Sequence, residues 1–141
     1  MSQVKNRALL HFVWATYSRM PWITSDIARS VHRYMESVSV DDGCEVLGVG
    51  GMPDHIHLFV VMSTTVSISE LMRHVKGGSS RLINKELKPD AFFKWQGSYA
   101  VFSVRPRDRQ RVIAYIANQE EHHRTSSLWP DAEPDNDVLI D

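Results

Sequence analysis

Apolar positions recur along this chain with two different periods, and the switches between them outline a run of strands and helices. Ala8 to Tyr17 (Ala-Leu-Leu-His-Phe-Val-Trp-Ala-Thr-Tyr) is almost continuously apolar and aromatic before the loop Ser18-Arg19-Met20-Pro21, which predicts a mostly buried strand. Thr24 and Ser25 are candidate N-caps for a helix of about 15 residues. In that helix Ile27, Val31, Tyr34, Met35 and Val38 fall on one side, and Asp41-Asp42-Gly43 ends it in a turn. Cys44 to Gly50 reads as a second strand and His55 to Met62 as a third, joined as a hairpin through Gly50-Gly51-Met52-Pro53-Asp54. Ser67-Ile68-Ser69-Glu70 has capping-box spacing and opens a second helix with Leu71, Met72, Val75, Leu82 and Ile83 on its apolar side. Gly77-Gly78 interrupts that helix, at a cost in helix stability that allows something to approach the backbone closely. Tyr99 to Val104 is a fourth strand, Arg105-Pro106-Arg107-Asp108 a loop, and Arg109 to Arg124 a third helix. The order β-α-β-β-α-β-α predicts an α+β fold: a ferredoxin-like or RRM-like antiparallel sheet of the split βαβ kind, helices on one face, with an additional C-terminal helix.

Composition adds little until it is read by position. A chain of 141 residues suits one domain, assigned to residues 1–124, with residues 125–141 as an acidic, irregular tail. With Cys44 as the single cysteine, and neither a membrane-length apolar run nor a signal-like start, the expectation is a soluble cytoplasmic protein. The formal net charge is −1, but from Glu120 onward seven acidic residues face Arg124 alone, a net of −6, so residues 1–119 carry +5. A basic body with an acidic tail suits a polyanionic partner; a solvated surface with a frayed end explains the charge equally well.

Chemistry concentrates in two places. His55 and His57 lie two apart on a strand, so they share one face and form half of a metal site, whereas His11 reads as a packed or edge histidine. On the third helix Tyr115 and Gln119 are four apart and share a face, His122 continues that face, and His123 lies four past Gln119. Taken singly, Tyr115 reads as a half-buried aromatic and Gln119 as an ordinary helix residue. Arg73, Lys76, Arg81, Lys85 and Lys88, with Lys94 beyond them, form the densest basic segment. Arg73, Lys76, Arg81 and Lys94 are assigned to the phosphates of a polyanionic partner; Lys85 and Lys88 fit a solvated helix face better. Tyr17 and Trp95 could each stack on an unpaired base, although Trp95 suits the core better.

Met52-Pro53-Asp54-His55-Ile56-His57-Leu58, followed about sixty residues later by Tyr115-Ile116-Ala117-Asn118-Gln119, resembles the IS200/IS605-type transposases. These are single-tyrosine members of the His-hydrophobic-His (HUH) nuclease superfamily. Val75-Lys76-Gly77-Gly78-Ser79-Ser80-Arg81, Trp95-Gln96-Gly97-Ser98-Tyr99 and Gln119-Glu120-Glu121-His122-His123-Arg124 extend the likeness over about Leu10 to Arg124. The resemblance implies cleavage and rejoining of single-stranded DNA with hairpin ends, with Tyr115 as nucleophile taking the 5′ phosphate and releasing a 3′ hydroxyl. It implies a divalent ion, Mg²⁺ or Mn²⁺, on His55, His57 and Gln119, with His122 or His123 able to replace or supplement Gln119. It also implies a homodimer in which the tyrosine helix of one subunit completes the histidine pair of the other. Two rivals stand beside this reading: a non-catalytic RRM-like nucleic-acid-binding module, and a domesticated relative that nicks without mobilising an element. The first is disfavoured because the third strand carries His-Ile-His where an RRM carries its aromatic signature.

Overall fold

The computed structural model describes residues 4–119 together with His123, Leu128 and Glu133. Its sheet has four strands, β1 (Leu9–Ala15), β2 (Glu45–Met52), β3 (His55–Val61) and β4 (Ala100–Ser103), in the order β2-β3-β1-β4. Every neighbouring pair is antiparallel, the ferredoxin-like arrangement that the element order predicts. Among the described residues three α-helices, α1 (Ser25–Asp41), α2 (Ile68–Leu82) and α3 (Arg109–Ala117), complete it. None of the described helices is long and apolar enough to cross a membrane.

Helices α1 and α2 cover one face of the sheet. Ile27, Val31 and Met35 from α1 and Leu71, Met72 and Val75 from α2 meet Phe12, Trp14, Ile56, Leu58 and Val60 in the main core. The opposite face carries Leu9 and Phe59 and is covered by Val112 and Ile116 of α3. The third helix therefore does not join the other two but seals the other side of the sheet. That is why β3 is buried on both faces and reads as an unbroken apolar run. It also removes the RRM rival's binding surface, since an RRM stacks bases on an open sheet face.

Locally the elements follow their signals. Ser67 caps α2 by accepting the Glu70 amide at 3.1 Å. The β2–β3 hairpin is tighter than expected: β2 runs on through Met52, leaving Pro53-Asp54 as the connection. The third helix is interrupted at Asn118 (φ −113, ψ 31), and Gln119 and His123 beyond it are again helical. Arg124, its expected end, lies outside the described residues. Trp95 is core: it is 6% exposed, packs edge-on against Trp14 and Phe93, and donates its indole N–H to Ser79 Oγ at 2.9 Å.

The two glycines of α2 differ. A side chain on Gly78 would collide with the Tyr34 ring of α1, with the ring Cε1 only 2.9 Å from the added carbon, so Gly78 sets the approach of the two helices. Gly77 has nothing within 4 Å of that position. Gly77→Ala is therefore expected to raise stability by up to about 1 kcal/mol. Gly78→Ala is expected to lower it by about 1–2 kcal/mol through overpacking. Chemical denaturation of the two variants checks this, and equal midpoints would refute the close-approach account.

Candidate active site

The site forms where β3, β1 and α3 meet. Alternation along β3 sends His55, His57 and Phe59 to the α3 side, while Ile56, Leu58 and Val60 enter the main core. Across the ladder His55 pairs with Ala15 and Met52, and His57 with Val13 and Gly50. Gly50 decides how closely α3 lies on the sheet. A Cβ there would sit 2.9 Å from the Ile116 carbonyl oxygen and 3.1 Å from its Cγ2. With Ile116 seated on that bare backbone, its neighbour Tyr115 places its ring edge-on to His57, 6.0 Å between centroids. Tyr115 is buried.

The two histidines are fully buried and held in parallel fashion. His55 Nδ1 lies 2.8 Å from Asp54 Oδ1, which leaves Nε2 facing Gln119 Oε1 at 3.3 Å and Glu133 Oε1 at 3.8 Å. His57 Nδ1 lies 2.9 Å from His11 Nε2, which leaves its Nε2 facing Glu133 Oε2 at 2.9 Å. Gln119 donates to the Tyr115 carbonyl oxygen at 3.3 Å, so its Oε1 points to the histidines and to His123 Nε2 at 3.2 Å. His123 Nε2 also lies 2.8 Å from Glu133 Oε1. The Asp54 carboxylate is shared with Arg19, whose Nε is 3.0 Å from Oδ2. Ser18 and Arg19 beside that contact both have positive φ, 53° and 56°. Non-glycine residues pay about 1–3 kcal/mol for such a conformation.

Burial sets the charge states. Desolvation first, then the nearby His55, pushes the His57 imidazole well below its usual range. Burial and then His57 push His11 down to about 3. Burial pushes the Glu133 carboxyl up, with His55, His123 and Tyr115 pulling it partly back. Burial also works against ionised Asp54, but the His55 hydrogen bond and the charges of His55 and Arg19 outweigh it and hold its carboxyl at about 2. The result is a neutral imidazole with an available lone pair at His57, beside a neutral His11, and an ionised Asp54 behind His55.

This donor set suits a cation. One ligand atom each from His55, His57 and Glu133 lies within 4.8 Å of the others. His57 Nε2 and both Glu133 oxygens are buried yet without a hydrogen bond of proper geometry. Imidazole nitrogens with amide and carboxylate oxygens form the mixed N/O environment that divalent ions such as Mg²⁺ and Mn²⁺ accept.

Most residues singled out in the sequence meet here: His55, His57, Tyr115, Gln119 and His123; His122 lies outside the described residues. Glu133 was missed, because an acidic residue in an irregular stretch 76 positions beyond His57 carries no local signal. His11, read as packed, is packed, and it also contacts a site histidine. The basic residues divide. Arg73, Arg81 and Lys94 are exposed, with the Lys94 ammonium 4.7 Å from the centre of the Tyr17 ring. Lys76 turns inward and donates to the carbonyl oxygens of Gln96 (2.7 Å) and Ser98 (3.0 Å), fixing that segment.

A profile of the family described as "Transposase IS200 like" matches residues 4–119. The ISDra2 transposase TnpA of Deinococcus radiodurans is 24% identical over 116 residues, spanning 79% of this chain and 83% of that protein. Among solved structures, a Deinococcus radiodurans R1 protein assigned as a transposase superposes with a TM-score of 0.65 at 23% identity, covering 84% of this chain and 98% of that one. A REP-associated tyrosine transposase bound to a REP hairpin superposes with a TM-score of 0.64 at 16% identity, covering 87% of this chain and 74% of that one.

Proposed function

The chain belongs to the IS200-like transposase family, and from that premise we propose that it cleaves and rejoins single-stranded DNA through Tyr115, with a divalent ion, Mg²⁺ or Mn²⁺, held by His55, His57 and Gln119. The observation that carries the reading is the convergence, within one chain, of the Tyr115 ring on a buried histidine pair whose Nε2 atoms face a common point. His123 and Glu133 face the same point. An ion bound there polarises and orients the scissile phosphate.

The chain's own residues supply the rest. The Tyr115 oxygen attacks phosphorus, a phosphotyrosine bond to the 5′ side forms, and the bond to the 3′ oxygen breaks. The 3′ oxygen gains a proton in exchange for the phenolic one, and the phosphodiester energy is kept for rejoining. The rigid strand pair under the histidines and the Gln119–Tyr115 backbone bond hold nucleophile and ligands in one frame. Arg73, Arg81 and Lys94 contact DNA phosphates, and the hairpin carried by the REP-associated relative supports hairpin ends as the substrate shape. The likeness to the family supports a homodimer; the closeness of Tyr115 and His57 within one chain favours a centre completed in cis.

The test is incubation with Mn²⁺ and a single-stranded hairpin oligonucleotide taken from the flanks of the chain's own gene. A covalent protein–DNA adduct should form, map to Tyr115 by mass spectrometry, and vanish in EDTA. No adduct with any flank strand, or one that ignores EDTA, would overturn the reading.

A further inference from the structure

The proposed ligands His55 and His57 are steadied by different chemistry. Ligating imidazoles commonly pass their second N–H to a carboxylate, a carbonyl or water, and loss of that partner weakens metal binding. His55 follows the rule: its Nδ1 meets Asp54 Oδ1 at 2.8 Å, and Arg19 fixes that carboxylate in turn. His57 is given no carboxylate at Nδ1. Its neighbour there is a third imidazole, His11 on β1, 2% exposed, with Nε2 at 2.9 Å and the two rings stacked 29° apart at 5.1 Å.

We infer that His11 is a positioning residue for the metal centre, accepting the Nδ1–H of His57 on its own Nε2 and so holding His57 Nε2 deprotonated and aimed at the ion. The arrangement is directional. With an ion on Nε2, a neutral His57 carries its proton on Nδ1. His11 must then be the acceptor and bear its proton on Nδ1. A His11 protonated at Nε2 would set two donors against each other at 2.9 Å. The surroundings suit the role: His11 is buried and lies among apolar rings, Phe59 at 6.2 Å and Phe102 at 6.3 Å. The inference rests on the metal reading given above and adds a residue to it. It also makes the pair unequal. His55 is backed by an anion and His57 by a neutral acceptor, so His57 is the more weakly donating ligand.

Isothermal titration with Mn²⁺ on the unaltered chain comes first; absence of binding there overturns the metal reading and this inference together. Given binding, His11→Phe, which keeps an aromatic ring but no acceptor, should weaken Mn²⁺ affinity about 10- to 100-fold. His11→Gln, whose amide oxygen reaches the same place, should recover most of the loss. Affinity unchanged in His11→Phe overturns the inference while leaving the metal reading intact. Nitrogen NMR of the Zn²⁺-loaded wild-type chain gives a second readout that needs no variant to fold. It should show a scalar coupling across an N–H···N bond with His57 Nδ1 as donor. A coupling with His11 as donor, or none, counts against the inference.

Discussion

Tyr115→Phe is expected to eliminate the covalent protein–DNA adduct and to lower strand cleavage on the order of 10⁴-fold or more. Removing one hydroxyl takes away the attacking atom and its hydrogen bond to Glu133. The Phe ring still fills the space against His57, and the proposed ligand atoms on His55, His57 and Gln119 are untouched, so Mn²⁺ and DNA affinity should stay near wild type. Stability should change by no more than about 1 kcal/mol, the usual worth of a single hydrogen bond. The chain has four tyrosines, which makes the result discriminating. Tyr34 is wedged against Gly78 and Tyr99 packs on Phe12, both half-buried, so Tyr17, 40% exposed beneath Lys94, is the most exposed rival. Adduct mapping on wild type, Tyr115→Phe and Tyr17→Phe separates the two. An adduct that survives in Tyr115→Phe would remove Tyr115 from the mechanism.

What the sequence made legible follows the range of the forces involved. The capping box at Ser67, the amphipathic α1 and the alternation that pairs His55 with His57 are local patterns, and each appears where its spacing puts it. The Tyr115–Gln119 relation is also local, one helical turn, and Gln119 does bond back to the Tyr115 carbonyl. What stayed hidden depends on pairs distant in the chain. Gly48 and Gly50 read as strand residues or a turn, yet an added carbon at either would meet Ile116, and this places α3 on the sheet face that a simple split βαβ fold leaves open. His11 and His57 are 46 residues apart and meet only through the β1–β3 register. Glu133 has no periodic context at all, and its meeting with the histidines is a matter of chain path. Lys76 has a second tie the sequence does not show: its ammonium donates to two carbonyls about twenty residues away.

His55→Ala is expected to abolish metal-dependent cleavage and to weaken Mn²⁺ binding by more than the 10- to 100-fold that loss of a supporting residue costs. His55 is the histidine whose Nε2 faces both Gln119 and Glu133, so its removal takes out the atom the other donors share. It also strips Asp54 of one partner while Arg19 keeps the other, so the carboxylate is not left bare. A fully buried imidazole replaced by a methyl group leaves a cavity, and a stability loss of about 1–3 kcal/mol is expected with it. Two measurements separate that structural cost from the loss of the site. The variant's melting transition should stay cooperative and fall only by a few degrees, and excess Mn²⁺ should raise the wild-type midpoint but not the variant's, since only a folded state that binds the ion gains from it. Cleavage by a cooperatively folded His55→Ala chain at wild-type rate, or wild-type cleavage that persists in EDTA, would show that the histidine pair holds no catalytic ion. The buried lone pairs at His57 and Glu133 would then need a different explanation.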